Sequence, residues 1–292
     1  MKILVIGSSN VDLTVRTKKF PQRGETVIGE SFNTSFGGKG LNQAVAASIT
    51  GAKVTFLTAL GNDSNKDYIL DSLKDYNLCI KPVIKNTSTG NAVIVVESET
   101  SENEIIITGG ANQELNEKDI DDNINLIKDT DYILLQLEIN IKVIEYIISK
   151  AKEYNKEVIL NPAPFINLDD DILKNITYLT PNQTELVSLT KENDYVEAAK
   201  KLLSKGVKNV IVTLGKDGAA LINQNGVTKI LGHKVKAIDT TGAGDCFNGV
   251  FLGFLSKGYN LIDSLNLASK AAGISVTKPG AAKSYPTLEE IR

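Results

Sequence analysis

The chain has 292 residues, 42% of them hydrophobic, and a formal charge of −3. That composition supports one large core and gives no electrostatic case for nucleic acid or an anionic membrane surface as a partner. Two cysteines far apart in sequence, Cys79 and Cys246, and a lone histidine, His233, exclude a disulfide framework, a thiolate zinc site and histidine-centred catalysis; His233 reads as ordinary surface chemistry.

The first apolar run, "KILVIG", predicts a strand, with Asn10 and Asp12 just beyond its end. This opening is too short for a secretion signal and lacks a cleavage pattern, and no apolar run is long enough to span a bilayer, so a cytoplasmic location is expected. Residues 13–36 read as two extended stretches. "FGGKGLNQA" then sets Gly37, Gly38 and Gly40 before a helix from about Lys39 to Thr50. A strand "KVTFLTAL" and a helix from about Ser64 to Tyr76 come next. Residues 90–108 predict a hairpin whose polar turn is "ETSEN". "YILLQLE" ends in Glu138 and leads to a helix reaching about Tyr154, followed by the strand "EVILNPAP". "ITYLTPNQTE" offers Asn182 and Glu185, and after the helix through "EAAKKLLSKG" the strand "VIVTLG" runs into Thr213, Gly215 and Gly218.

Continuous apolar strands separated by helices predict an α/β fold with a mostly parallel sheet covered on both faces. Residues 13–36 and 90–108 have no helix to cover them and predict a small antiparallel sheet projecting from that body, a lid or a dimer surface.

In "DTTGAGDCFNGVF", Phe247, Val250, Phe251 and Phe254 recur at helical spacing, so a buried helix is expected to begin near Asp245 with Gly242, Ala243 and Gly244 at its amino end. Free amides and the positive end of the helix dipole suit a phosphate there. Asp245 is then either a capping carboxylate or a general base beside an anion site. Open parallel sheets bind ligands at the carboxyl ends of their strands, and five segments put polar or glycine residues at that edge. Each has a plainer reading. "GGKG" could be turn geometry, Asn10 and Asp12 turn formers, Glu138 the cap of the next helix, and Asn182 with Glu185 a helix start signal. Gly249 and Gly253 lie four apart and suit close packing against the Ala-rich stretch "LASKAAGISV". Neither a P-loop, nor a strand-linked GxGxxG, nor the HRD triplet occurs.

The ordered set "GSSNVDL", "PQRGETVIG", "FGGKGLNQAVAA", "LNPAP", "TPNQTEL", "VTLGKDGA" and "DTTGAGDCFNGVF" resembles the ribokinase family of carbohydrate kinases, marked by the phosphofructokinase-B signature, nearly from end to end. The resemblance implies a three-layer sandwich formed by residues 1–292 as one domain. The projecting strands at about 13–36 and 90–108 are expected to act as a lid, with Gly37, Gly38 and Gly40 accommodating the movement at its root, and their uncovered edges to pair in a homodimer. By similarity, Asn10, Asp12, Gly38, Lys39, Gly40, Asn42 and Glu138 would bind the sugar. ATP would lie along Asn182 and Thr213, Leu214, Gly215, Lys216, Asp217 and Gly218, reaching Gly244, with Mg²⁺ organised near Asn182 and Glu185. Amides of Gly242, Ala243 and Gly244 would cradle the transferred phosphoryl group, and Asp245 would take the proton from a primary hydroxyl. Ser269 stands where relatives have a larger polar residue beside the adenine. Relatives also commonly carry a longer last helix than one ending at Arg292, so a trimmed C-terminal edge is expected.

The resemblance further implies a K⁺ site with Asp239 and Thr241 on one wall and Ser275, Lys278, Gly280 and Ser284 on the other, mostly through backbone carbonyls. Read from the residues alone, Asp239 has the plainer alternative of an Asx-turn former. The activity implied is transfer of phosphate from ATP to O5 of D-ribose. The alternatives are another small sugar or nucleoside, such as fructose, deoxyribose or adenosine, and a non-catalytic sugar-binding regulator.

Overall fold

The computed structural model describes residues 1–100 and 102–292; Ser101, in the expected turn "ETSEN", lies outside the described residues. The β-branched runs form the strands β1 (Lys2–Ile6), β2 (Asn10–Thr17), β3 (Ser31–Gly37), β4 (Lys53–Gly61), β5 (Leu78–Lys85), β6 (Gly90–Glu97) and β7 (Asn103–Thr108). They continue as β8 (Tyr132–Gln136), β9 (Glu157–Asn161), β10 (Tyr178–Leu179), β11 (Asn209–Thr213), β12 (Gly218–Asn223) and β13 (Gly226–Leu231). The larger sheet has the order β13-β12-β11-β10-β9-β8-β1-β4-β5. Pairing is parallel from β5 to β11, and β12 and β13 close the far edge antiparallel.

Helices cover both faces, which is why β1, β8 and β9 are buried along nearly their whole length. On one face lie Lys39–Ser48, Ser64–Ser72, Ala243–Ser256 and Leu261–Ser275; on the other lie Ile141–Glu153, Gln183–Thr190 and Tyr195–Ser204. The three-layer sandwich expected from the sequence is therefore present. The first helix stops at Ser48 rather than Thr50, and the second at Ser72, four residues short of Tyr76.

The Ala243–Ser256 helix is apolar on all sides and is buried from Asp245 onward. It begins at Ala243, two residues before Asp245, because Gly242 adopts φ 72°, a left-handed turn that ends the preceding loop. A Cβ on Gly249 would run into the Gln43 carbonyl and Ala46, and one on Gly253 into Thr50. These two glycines therefore face the Lys39–Ser48 helix and the residues just after it, while the Ala-rich helix Leu261–Ser275 packs closely on another side of the same helix. Which neighbour a bare helix face meets is set by tertiary order, which spacing does not encode.

β3, β2, β6 and β7 form the smaller sheet, in that order. It is mixed, not antiparallel throughout. β2 pairs with β3 and β6 with β7 antiparallel, but β2 and β6 run parallel with Asn10 opposite Gly90. A parallel pair needs a long crossover, and the whole stretch from β3 to β5 supplies one. β2 starts four residues after β1 ends, so this sheet grows directly out of the ligand-binding edge of the larger one. Among the described residues no helix is long and apolar enough to cross a membrane.

Candidate active site

β1 delivers Ser8, Ser9 and Asn10 to the carboxyl edge of the large sheet. Glu138, just past β8, accepts from the Ser8 hydroxyl at 2.5 Å and from the Lys39 amide at 3.0 Å, tying that edge to the start of the Lys39–Ser48 helix. It does not cap the following helix, whose first turn is held by Asn140. Gly40 must be bare, since a Cβ there would stand about 2.5 Å from the Gly7 carbonyl carbon and the Ser8 nitrogen. Gly38, at φ 92°, makes the left-handed bend that lets both backbones approach so closely.

Asn10 is buried, and its Oδ1 accepts from Asn112 Nδ2 at 2.8 Å. Asn112 also exchanges bonds with the Ser9 backbone at 3.0 and 3.1 Å. That fixes the Asn10 carboxamide with its donor end free for a polyol oxygen. Sequence reading missed Asn112, which lies in a short helix with no periodic signal. Asp12 lies close enough to Glu138 for the two carboxylates to repel. Burial, and then the neighbouring Glu138 carboxylate, push the Asp12 carboxyl up to about 6.

At the head of the Ala243–Ser256 helix, Asp245 has little exposure and caps nothing: the N-cap is Gly242, without any side-chain bond. Its Oδ2 accepts from Asn42 Nδ2 at 3.1 Å and its Oδ1 from Gln43 Nε2 at 2.8 Å. Burial raises its pKa, opposed by the Lys39 ammonium and by the Gln43 and Asn42 amides. For Lys39, burial is the largest single influence and acts downward. The surrounding carboxylates of Asp245, Glu138 and Glu185 together outweigh it and keep the ammonium charged.

The three small residues before Asp245 are small for different reasons. A Cβ on Gly242 would stand 2.7 Å from that of Ala281, so this position is constrained by packing. A Cβ on Gly244 meets nothing within 4 Å and would project into open space, so this position alone keeps room for a ligand. The Ala243 amide is engaged with the Thr240 carbonyl at 3.3 Å, which leaves the cradle mainly to its neighbours.

Two depressions meet at Gly244. One, of about 380 Å³, is lined by Lys39, Asn182, Glu185, Gly244, Asp245 and Asn248. The other, of about 590 Å³, runs from Thr213, Gly215, Lys216, Asp217 and Gly218 past Ser269. Leu214 lies at the same turn, accepting no side chain but donating its amide to Gly218 at 2.8 Å. His233 exposes itself at the mouth of this cleft against Gly273, a more specific place than plain surface. The Ser269 hydroxyl is spent on the Leu231 carbonyl at 2.8 Å. Cleft length, bare glycines at Gly215 and Gly244, and an apolar far end suit a nucleoside triphosphate.

Asn182 and Glu185 form a complete capping box, so the plain reading of that pair holds. Glu185 nevertheless faces the cleft, where burial raises its carboxyl and Lys39 opposes the rise. One carboxylate beside an amide suits Mg²⁺ held through water and phosphate oxygens rather than by a closed protein cage. Both oxygens of Asp239 accept backbone amides, Thr241 at 2.9 Å and Gly280 at 2.8 Å. The first is the Asx turn; the second draws the 239–242 and 278–284 loops together. Ser275 and Ser284 turn their hydroxyls back onto their own segments, and Lys278 lies 3.5 Å from Glu290, so only carboxylate and carbonyl oxygens remain for a cation.

A cluster of fixed polar groups at Asn10, Asp12 and Glu138, a long cleft that suits a nucleotide, and a buried carboxylate at Asp245, on a three-layer α/β body, are the features of a small-molecule kinase. The sequence matches the pfkB carbohydrate kinase family over residues 1–288. The ribokinase of Schizosaccharomyces pombe is 40% identical, over 100% of this chain and 96% of that protein. The deoxyribokinase of Salmonella typhi is 37% identical over 99% and 97%. The crystallised Arabidopsis thaliana ribokinase, complexed with ribose and ATP, is 30% identical with TM-score 0.89, covering 99% of this chain and 96% of that one. The chain belongs to the pfkB family of carbohydrate kinases.

Asp12 generates a stability prediction. A carboxyl raised from 3.8 to about 6 binds its proton more tightly folded than unfolded, so its contribution falls as pH rises from about 4 to 6. Asp12→Asn should therefore stabilise the ligand-free protein at pH 7.5 by ~1–3 kcal/mol, with the gain vanishing near pH 4. Urea titrations of both proteins at the two pH values measure it, and equal stabilities at pH 7.5 would refute it.

Proposed function

We propose that this kinase transfers the terminal phosphate of ATP to O5 of D-ribose, giving D-ribose 5-phosphate and ADP. The observation that carries the reading is Asp245, buried between two amide donors and directly beside the open amide end at Gly244. The sugar would lie against Asn10, Asp12, Gly38, Lys39, Gly40, Asn42 and Glu138, with its primary hydroxyl on Asp245. The O5–H proton passes to the Asp245 carboxylate, O5 bonds to the γ-phosphorus, and the bond from that phosphorus to ADP breaks. The acid then returns its proton to solvent. Amides at the helix start and the Lys39 ammonium stabilise the charge spread over the equatorial oxygens. Bound Mg²⁺, organised from Asn182 and Glu185, would neutralise phosphate charge.

Asp245→Asn is nearly isosteric and cannot accept the proton, so it should bind sugar yet lose ~10²–10⁴ in rate. Retention of more than about a tenth of the activity would remove Asp245 from the base role. A second reading, 2-deoxyribose as acceptor, is favoured by the Salmonella relative. ADP release measured across ribose, deoxyribose, fructose and adenosine separates the two, and equal or faster turnover on any non-ribose acceptor would overturn ribose as the substrate.

The loops joined by Asp239 suit K⁺, which would hold the 239–242 segment so that its amides face the phosphate. Activation by K⁺ over Na⁺ at constant ionic strength, lost in Asp239→Ala, is the expected result; identical rates in potassium-free sodium buffer would eliminate the site.

The small sheet is both lid and dimer surface. β7 is an edge strand on which Ile105, Ile106 and Ile107 are 51, 70 and 58% exposed, so both of its faces are bare. Such an edge asks for a partner, and a second copy supplies one. Sedimentation should show a dimer at micromolar concentration, and ribose should slow hydrogen exchange in residues 90–97; a monomer, or unchanged exchange, contradicts the corresponding role. Two free thiols and the use of ATP suit the cytoplasm.

A further inference from the structure

Behind Asp245 a chain of carboxamides crosses the interior. Asn161, at the end of β9, donates from Nδ2 to the Thr180 carbonyl at 2.9 Å. That bond turns its Oδ1 toward Gln43, whose Nε2 donates to it at 3.1 Å and to Asp245 Oδ1 at 2.8 Å. Gln43 Oε1 in turn accepts from Gln136 Nε2, at the end of β8, at 2.7 Å. The Thr180 carbonyl can only accept, so it fixes the sense of every amide in the chain. Reversing Gln43 would aim its oxygen at two other acceptors.

The chain ends on a cost. Gln136 Oε1 is buried without a partner, against the backbone of Gly7. An unmatched buried acceptor opposes folding, and Asn42 and Asn248 each carry one as well, so what distinguishes the chain is its polarity. Its polarity is useful at the other end, where a donor that cannot take up a proton faces the carboxylate.

We infer that Gln43, oriented by Gln136 and Asn161, is a positioning residue that keeps Asp245 ionised and turns its second lone pair toward the acceptor hydroxyl. The inference rests on Asp245 being the base. The charged and titratable groups facing Asp245 are Lys39, Glu138, Glu185, Tyr285 and Cys246, none of which belongs to the amide chain. Lys39 supports ionisation by charge alone; Gln43 adds direction.

Single-turnover phosphoryl transfer, measured against pH, tests this without interference from product release. Gln43→Met keeps the volume and removes the donor. The acid limb of its rate profile should move up by about one to two pH units, with KM for sugar and ATP within about twofold of the parent. Gln43→Glu must be protonated to face Asp245, so it should recover activity on the acidic side of neutrality and lose it as pH rises, where two carboxylates would adjoin. A uniform loss at every pH in the Met variant, with its limb unmoved, overturns the role. If that variant does not fold, a Glu variant without alkaline loss overturns it equally. Asp245→Asn, run alongside, separates the two levels: activity there refutes the base, whereas its loss beside a normal Gln43→Met limb refutes only Gln43.

Discussion

Burying an ionised carboxylate in a protein interior is unfavourable, and the arrangement around Asp245 follows from meeting that requirement. Two side-chain amides, one ammonium and the amino end of a buried helix converge on it. Asn42 and Gln43 reach Asp245 only because their helix lies hard against the Ala243–Ser256 helix, which in turn needs bare positions at Gly249 and Gly253. Lys39 reaches the same place because Gly38 and Gly40 let the helix start almost touch the end of β1. The glycines that look like a ligand loop are thus largely the means by which charged and polar groups are brought to one point.

Much of this was legible in the sequence where a local rule has one outcome. Apolar runs of strand length alternating with helices specify a parallel sheet with two covered faces, and the residues just past each strand gather at one edge whatever their neighbours. Asn10, Glu138 and Asn182 arrive there for that reason, Thr213 ends its strand there, and Asp245 comes in on the helix that starts at Ala243. The plain readings hold at Asn182 with Glu185, a cap that stands at the cleft, and at Asp239, an Asx turn between the paired loops.

What was not legible depends on which distant segment comes alongside. The parallel pairing of β2 with β6, the choice of neighbour for Gly249 and Gly253, and the clamp of Asn112 on Asn10 are all of this kind. Gln43 lies within "FGGKGLNQAVAA", but its contacts with Asn161 and Gln136 exist only once the fold brings those residues beside it. Small size, too, carries no label: Gly242 and Gly244 look alike in sequence, yet one is fixed by Ala281 and the other faces open space.

Asn42 and Asp245 are separated by 203 residues, and their helices pack side by side over a sheet in which the first strand made, β1, lies between β8 and β4. On the ribosome, the half of the pocket built from β1, β2 and the Lys39–Ser48 helix exists as chain long before its counterpart. Until the last fifth of the protein emerges, the faces of Ala46 and Thr50 that receive the second helix have no cover. The site is therefore closed late, by a contact between segments far apart in the chain, and a nascent chain holds only its first half.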